Sequence, residues 1–112
     1  MRTLSVNIFE TPEAVVIRLA GEASYTAADD LQVPFQRVIA ARPRLVVLDL
    51  ADLEFVASLF LGLLVNLRRG ITIQGGQVQM AAVQPNVREI LQVSKLEGLF
   101  EFIEAAPQPP PT

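Results

Sequence analysis

Between Arg44 and Leu50 the chain reads RLVVLDL, and from Leu45 onward only Asp49 is polar. A strand-length run without alternation is the pattern of a strand covered on both faces, as strands of a parallel sheet are. Parallel neighbours are joined by crossovers, usually helical, so this run asks for helices on either side of it. The chain supplies them. Ahead of it, SYTAADDLQVPFQRVIAARP (24–43) places Leu31, Phe35, Val38 and Ile39 at helical spacing. Thr26 is the expected cap, and Asp29 three residues later suits the positive end of the helix. Pro34 falls inside the pattern and removes a backbone donor, which predicts a kink or a broken first turn. After the strand, EFVASLFLGLLVNLRRG (54–70) predicts a second helix over Ser58–Arg69, with Gly70 just past its end.

The flanking segments complete the layout. In LSVNIFET (4–11), Leu4, Val6 and Ile8 fall on one side and Ser5 and Asn7 on the other, the alternation of a half-buried strand. A short turn at Thr11-Pro12-Glu13 leads into AVVIRLAG (14–21), so the two strands are expected to form a hairpin. Downstream, ITIQGG (71–76) reads as a connection and QVQMAAV (77–83) as a strand. PNVREILQVSK (85–95) reads as a helix opened by Pro85, and LEGLFEFIEA (96–105) as a turn and a last strand. Strand–helix alternation after a hairpin predicts one α/β domain over residues 1–106, a mostly parallel sheet with packed helices and right-handed crossovers. The Pro-rich residues 107–112 are expected to form a disordered tail.

At 112 residues there is room for one core, and 51% apolar content suits a folded chain. The net charge of −3 argues against nucleic acid, which needs clustered Lys and Arg. Histidine and cysteine are both missing, which removes imidazole and thiolate chemistry, disulfides, and most zinc and haem ligation. The most apolar uncharged run, Phe55–Leu67, falls short of the roughly 18 apolar residues of a membrane span. The first ten residues hold no signal-peptide core. A cytoplasmic protein with no membrane span is the expectation. Asp49, Asp52 and Glu54 lie near a strand's C-terminal end, where parallel sheets bind ligands, but no basic or hydroxyl partner follows at useful spacing. GITIQGG lacks the Lys-Ser/Thr of a phosphate-binding loop. No catalytic residue, metal or cofactor is therefore assigned, and the chain is not expected to be an enzyme.

Three segments in register carry a resemblance. Gly21-Glu22-Ala23-Ser24 resembles the Gly-Glu-Leu-Asp that ends the second strand of STAS domains, the bacterial anti-sigma-factor antagonists and the related C-terminal domains of sulphate transporters. RLVVLDLADLEFVAS (44–58) resembles their apolar strand, Asp, short loop, aromatic and aliphatic pair, and Asp-Ser-(Ser or Thr)-Gly-Leu-Gly. VREILQVSKLEGLFEF (87–102) resembles their last helix and Leu-x-x-Leu-Phe. The resemblance implies a regulatory module of a bacterial partner-switching pathway that binds proteins and does no chemistry of its own. A serine kinase that is also the anti-sigma factor phosphorylates the loop hydroxyl, which breaks the complex, and a phosphatase restores it. Implied partners are such a kinase-like anti-sigma factor or other STAS proteins, with a homodimer as a further expectation. Here the loop is degenerate. The motif Asp is Ala57, the first hydroxyl is kept as Ser58, the second is Leu59, the Gly is Phe60, and the acidic end of Gly-Glu-Leu-Asp is Ser24.

Ser58 has two readings. It caps the helix, its oxygen accepting from a backbone N–H at about 1 kcal/mol, or it is a phosphoacceptor whose phosphate would meet the positive helix end. At 100° per residue, Leu59, Phe60, Leu63, Leu64 and Leu67 share one broad sector and Leu61 and Val65 another. One sheet face cannot cover both sectors. Either neighbouring helices bury the remainder, or Leu59 and Phe60 stay partly exposed at the helix mouth as a contact surface with Phe60 as anchor. With Ala57, Ser58, Leu63 and Ser24 they make up the expected partner-binding set. The alternative is a small-molecule-binding STAS adaptor with an apolar pocket at the second helix N-terminus, closed over by Phe60.

Overall fold

The computed structural model describes residues 3–109. Strands β1 (Ser5–Glu10), β2 (Val15–Ala23), β3 (Leu45–Val56), β4 (Gln77–Ala81) and β5 (Glu101–Ile103) lie side by side in chain order. Helices α1 (Tyr25–Asp29), α2 (Gln32–Ala40), α3 (Ser58–Thr72) and α4 (Pro85–Val93) and a 3-10 turn at Glu97–Leu99 connect them. β1 and β2 pair antiparallel, and every later pairing is parallel. The hairpin closes because Thr11 N–H donates to the Ala14 carbonyl (2.8 Å) while its hydroxyl accepts from Ala14 N–H (3.1 Å). The expected α/β domain is present, its sheet mixed only through the first strand.

All the crossovers step the same way across the sheet, and crossovers of one hand then deliver their helices to one face. Ile17, Leu19, Val46, Leu48, Val78 and Met80 point to that face and meet Phe35, Val38, Phe60, Leu64, Leu67, Val87 and Leu91 from the helices. On the other face Val16, Val47 and Ala81 are also buried, in a small cluster with Ala14 and Ala106. The central strand is thus covered on both faces, but its second cover is the chain after β5 rather than a helix. Ala106 lies in that cover and Pro107 is half-buried. Residues 110–112 of the expected tail lie outside the described residues.

Three boundaries differ from the sequence reading. The helix before β3 breaks at Asp30–Leu31, four residues ahead of the N–H that Pro34 lacks, as the proline predicts, but Ser24 rather than Thr26 caps its first piece. β3 runs on through ADLEFV to Val56, where a loop was expected. Its register with β2 slips between Arg18 and Ala20 and again between Gly21 and Glu22, so β3 carries extra residues that interrupt any alternation. α3 passes through Gly70 to Thr72. Gly70 is no terminator: a Cβ there would lie 2.7 Å from Ile39 Cδ1, so the absent side chain lets α2 approach α3.

Candidate functional site

The C-terminal ends of β2 and β3 meet at one end of the sheet, and Ala57 N–H donates to the Ala23 carbonyl across them at 2.8 Å. From this junction α1 and α3 set out. Ser24 caps α1, its hydroxyl accepting from Ala27 N–H at 3.4 Å. Ala57 caps α3 with extended backbone (φ −90°, ψ 162°) and no side-chain hydrogen bond. Ser58 is the first helical residue and is exposed. The capping role expected of Ser58 is therefore corrected, because the cap falls one residue earlier, on a methyl group.

Phe60 departs furthest from expectation. It is 0% exposed, buried with Leu63, Leu64, Leu67 and Ile71 on the inner stripe of α3. Two residues beyond Ser58, it stands about 200° around the helix from it, so an outward Ser58 requires an inward Phe60. The expected exposed anchor is a core residue, and so is Leu63. Leu59 is half-buried and, with Leu63, lines a cleft between α2 and α3 whose other walls include the polar Gln32, Gln36 and Asn66. Phe60 is packed into the core against the sheet, so it does not stand as the lid of an open apolar pocket at the start of α3.

Of the six expected contact residues, the structure brings Ser24, Ala57 and Ser58 together at the sheet end. Two aromatic side chains that sequence reasoning passed over stand beside them. Tyr25, directly after the Ser24 cap, is 67% exposed, and Phe55, paired with Glu22 across β2–β3, is 46% exposed. The signal for Phe55 was its place in a β-prone stretch, which an assumed loop concealed. Asp52 and Glu54 are exposed along the same stretch of β3. The N-terminal part of α4 braces it, Gln84 Nε2 donating to the Ala51 carbonyl (2.8 Å) and Asn86 Nδ2 to the Glu54 carbonyl (2.7 Å).

Asp49 plays no part at this end. It faces the side away from the helices, accepting from Arg18 Nε at 3.1 Å and from Ala51 N–H at 3.2 Å. No group of three metal-binding side chains occurs among the described residues, and no helix among them is long and apolar enough to cross a membrane. What the sheet end offers is an exposed hydroxyl at a helix start, with two exposed rings at the neighbouring ends of β3 and α1 and a strand end held by α4. Such a surface suits docking of another macromolecule.

The comparisons agree on one family. The STAS domain model matches residues 5–107. A STAS-domain containing protein of Pseudomonas aeruginosa strain UCBPP-PA14 is 33% identical over 90 residues, 80% of this chain and 88% of that protein. An anti-sigma F factor antagonist of Paenibacillus polymyxa is 29% identical over 80% of this chain and 74% of its own length. In fold, the chain superposes on the anti-sigma factor antagonist SpoIIAA in its unphosphorylated form with a TM-score of 0.77 at 24% identity, covering 91% of this chain and 89% of the other.

Proposed function

The chain belongs to the STAS domain family, and from that premise we propose that it is a protein-binding regulatory module of the anti-sigma-factor-antagonist kind. Its partner is a serine-kinase-type anti-sigma factor or a related STAS protein, in a partner-switching pathway that regulates transcription. The observation that carries this reading is the exposure of Tyr25 and Phe55 beside the exposed Ser58 at one braced end of the sheet. Exposed aromatic rings on a rigid frame are the side chains that most often anchor a protein interface. Ser58 is the phosphoacceptor in this proposal. Its hydroxyl is accessible, and a phosphate there would sit at the positive N-terminal end of α3. The altered loop, with Ala57, Leu59 and Phe60 around that hydroxyl, narrows which kinase can use it.

The test uses the source organism's serine-kinase anti-sigma factors, purified singly, titrated with the wild-type chain, the Tyr25→Ser/Phe55→Ser variant, Ser58→Ala and Ser58→Asp. One of them should bind the wild type, with the double aromatic variant weaker by about 2 kcal/mol at an unchanged melting temperature. Ser58→Asp should lose binding that Ser58→Ala keeps. Binding by none of these proteins, or full affinity in the aromatic variant, rejects the reading. Equal affinity of the two Ser58 variants removes the phosphoacceptor role alone.

A further inference from the structure

β1 is an outer strand of the sheet, and its free edge pairs with no strand among the described residues. Soluble proteins usually blunt such an edge with lysine, proline or a bulge. β1 reads SVNIFE, with neither lysine nor proline, and its register with β2 runs unbroken from Ser5 to Glu10. Val6 and Ile8 lie opposite Leu19 and Ile17, which turns them to the helix side, yet they remain 39% and 40% exposed. An open groove separates them from α2, with Val15, Pro34, Arg37 and Val38 on its other walls.

We propose that β1 is a homodimer edge, on which two copies pair their first strands antiparallel about a twofold axis through Asn7. The strand's own pattern selects both the occupant and the register. An axis through Asn7 places Val6 opposite Ile8 of the second copy, and Ile8 opposite its Val6, all on the helix side. Asn7 then meets Asn7, Ser5 meets Phe9, and Glu10 falls beyond the paired stretch opposite Leu4, so no like charges meet. Neighbouring axes also keep both helix layers on one face but fit less well. One through Ile8 sets Glu10 against Val6, and one through Val6 pairs only Ser5, Val6 and Asn7 within β1. Pairing about Asn7 satisfies the free edge and closes each groove with the apolar residues of the other copy. The inference does not depend on docking at the β2 and β3 ends, since none of those residues lies on β1.

Sedimentation of the full chain over rising concentration tests it, with Val6→Lys, Ile8→Glu, the double variant and an equimolar mixture of the two single variants. The wild type should shift from monomer to dimer, and each single variant should stay monomeric while melting near the wild-type temperature. Both the double variant and the mixture should dimerise again, because the introduced lysine lies opposite the introduced glutamate. Amide exchange on the wild type gives a reading that no variant can spoil: β1 amides should gain protection as concentration rises. A wild type that stays monomeric at every concentration overturns the proposal. So does a dimer indifferent to both single variants, or a double variant and mixture that remain monomeric.

Discussion

Ser58 does not cap α3 and Phe60 is no exposed anchor. The hydroxyl stands one position past the cap, so Ser58→Ala should change stability by less than about 0.5 kcal/mol. Ala57 has a cap's backbone but nothing to accept with, and Ala57→Asp should raise stability by about 1 kcal/mol. Urea unfolding of the two variants measures both, and a full 1 kcal/mol loss in Ser58→Ala would return the cap to Ser58. Phe60→Ala should cost about 3–5 kcal/mol, as truncation of a buried ring does, seen as a sharp fall in melting temperature. Another residue-scale expectation concerns Glu97. Hydrogen bonds from Arg88 (2.6 Å) and Gln92 (2.9 Å) hold its carboxyl below the usual carboxylate range. A lowered folded pKa favours the charged form in the native state. Its stabilisation is therefore present above the ordinary carboxylate range and lost as pH falls through the lowered value. Arg88 also stacks over Phe102, 3.8 Å from the ring centroid. Arg88→Met should move the Glu97 titration midpoint upward in an NMR titration.

Among the elements, those with clean periodicity were legible and those with interrupted periodicity were not. The apolar RLVV run, the alternating β1 and the Pro85 helix start are each legible from local sequence pattern alone. The second half of β3 did not, because its bulges leave Leu53 and Val56 buried with Glu54 and Phe55 exposed between them, matching neither a period of two nor a regular turn. The greasy α3 was legible as a helix but not in its facing. Leu61 and Val65 are only half-buried, and the choice between two apolar sectors rests with neighbours that a sequence does not display. Gly70 misled for a related reason, since a glycine that admits a neighbouring helix reads like one that ends its own. The α2–α3 contact can be tested directly. Gly70→Ala alone should destabilise, because three carbons of Ile39 crowd the new methyl. In an Ile39→Ala background the same change should stabilise by about 1 kcal/mol, the intrinsic helix preference of Ala over Gly. A double-mutant cycle by chemical denaturation reads the coupling, and simple additivity would show that no such contact exists.

For the molecule as a whole, the unequal faces of the sheet matter most. One face is thick with helices; the other is closed by a few residues after β5, with Ala106 against Val16, Val47 and Ala81. Deleting residues 105–112 should uncover those side chains and cost roughly 1–3 kcal/mol at the usual value of apolar burial. The loss should appear in thermal melts, and an unchanged melting temperature would mean that the segment covers nothing of consequence. The order of the strands has a different consequence, for how the protein comes into being. Because spatial order equals chain order, each new strand docks beside the one made just before it, and none must be inserted between two already placed. A chain leaving the ribosome N-terminus first can therefore build its sheet by accretion at a single growing edge. The residues that seal the helix-free face follow all five strands in the chain, so that face stays open to solvent and chaperones until after β5 has been made.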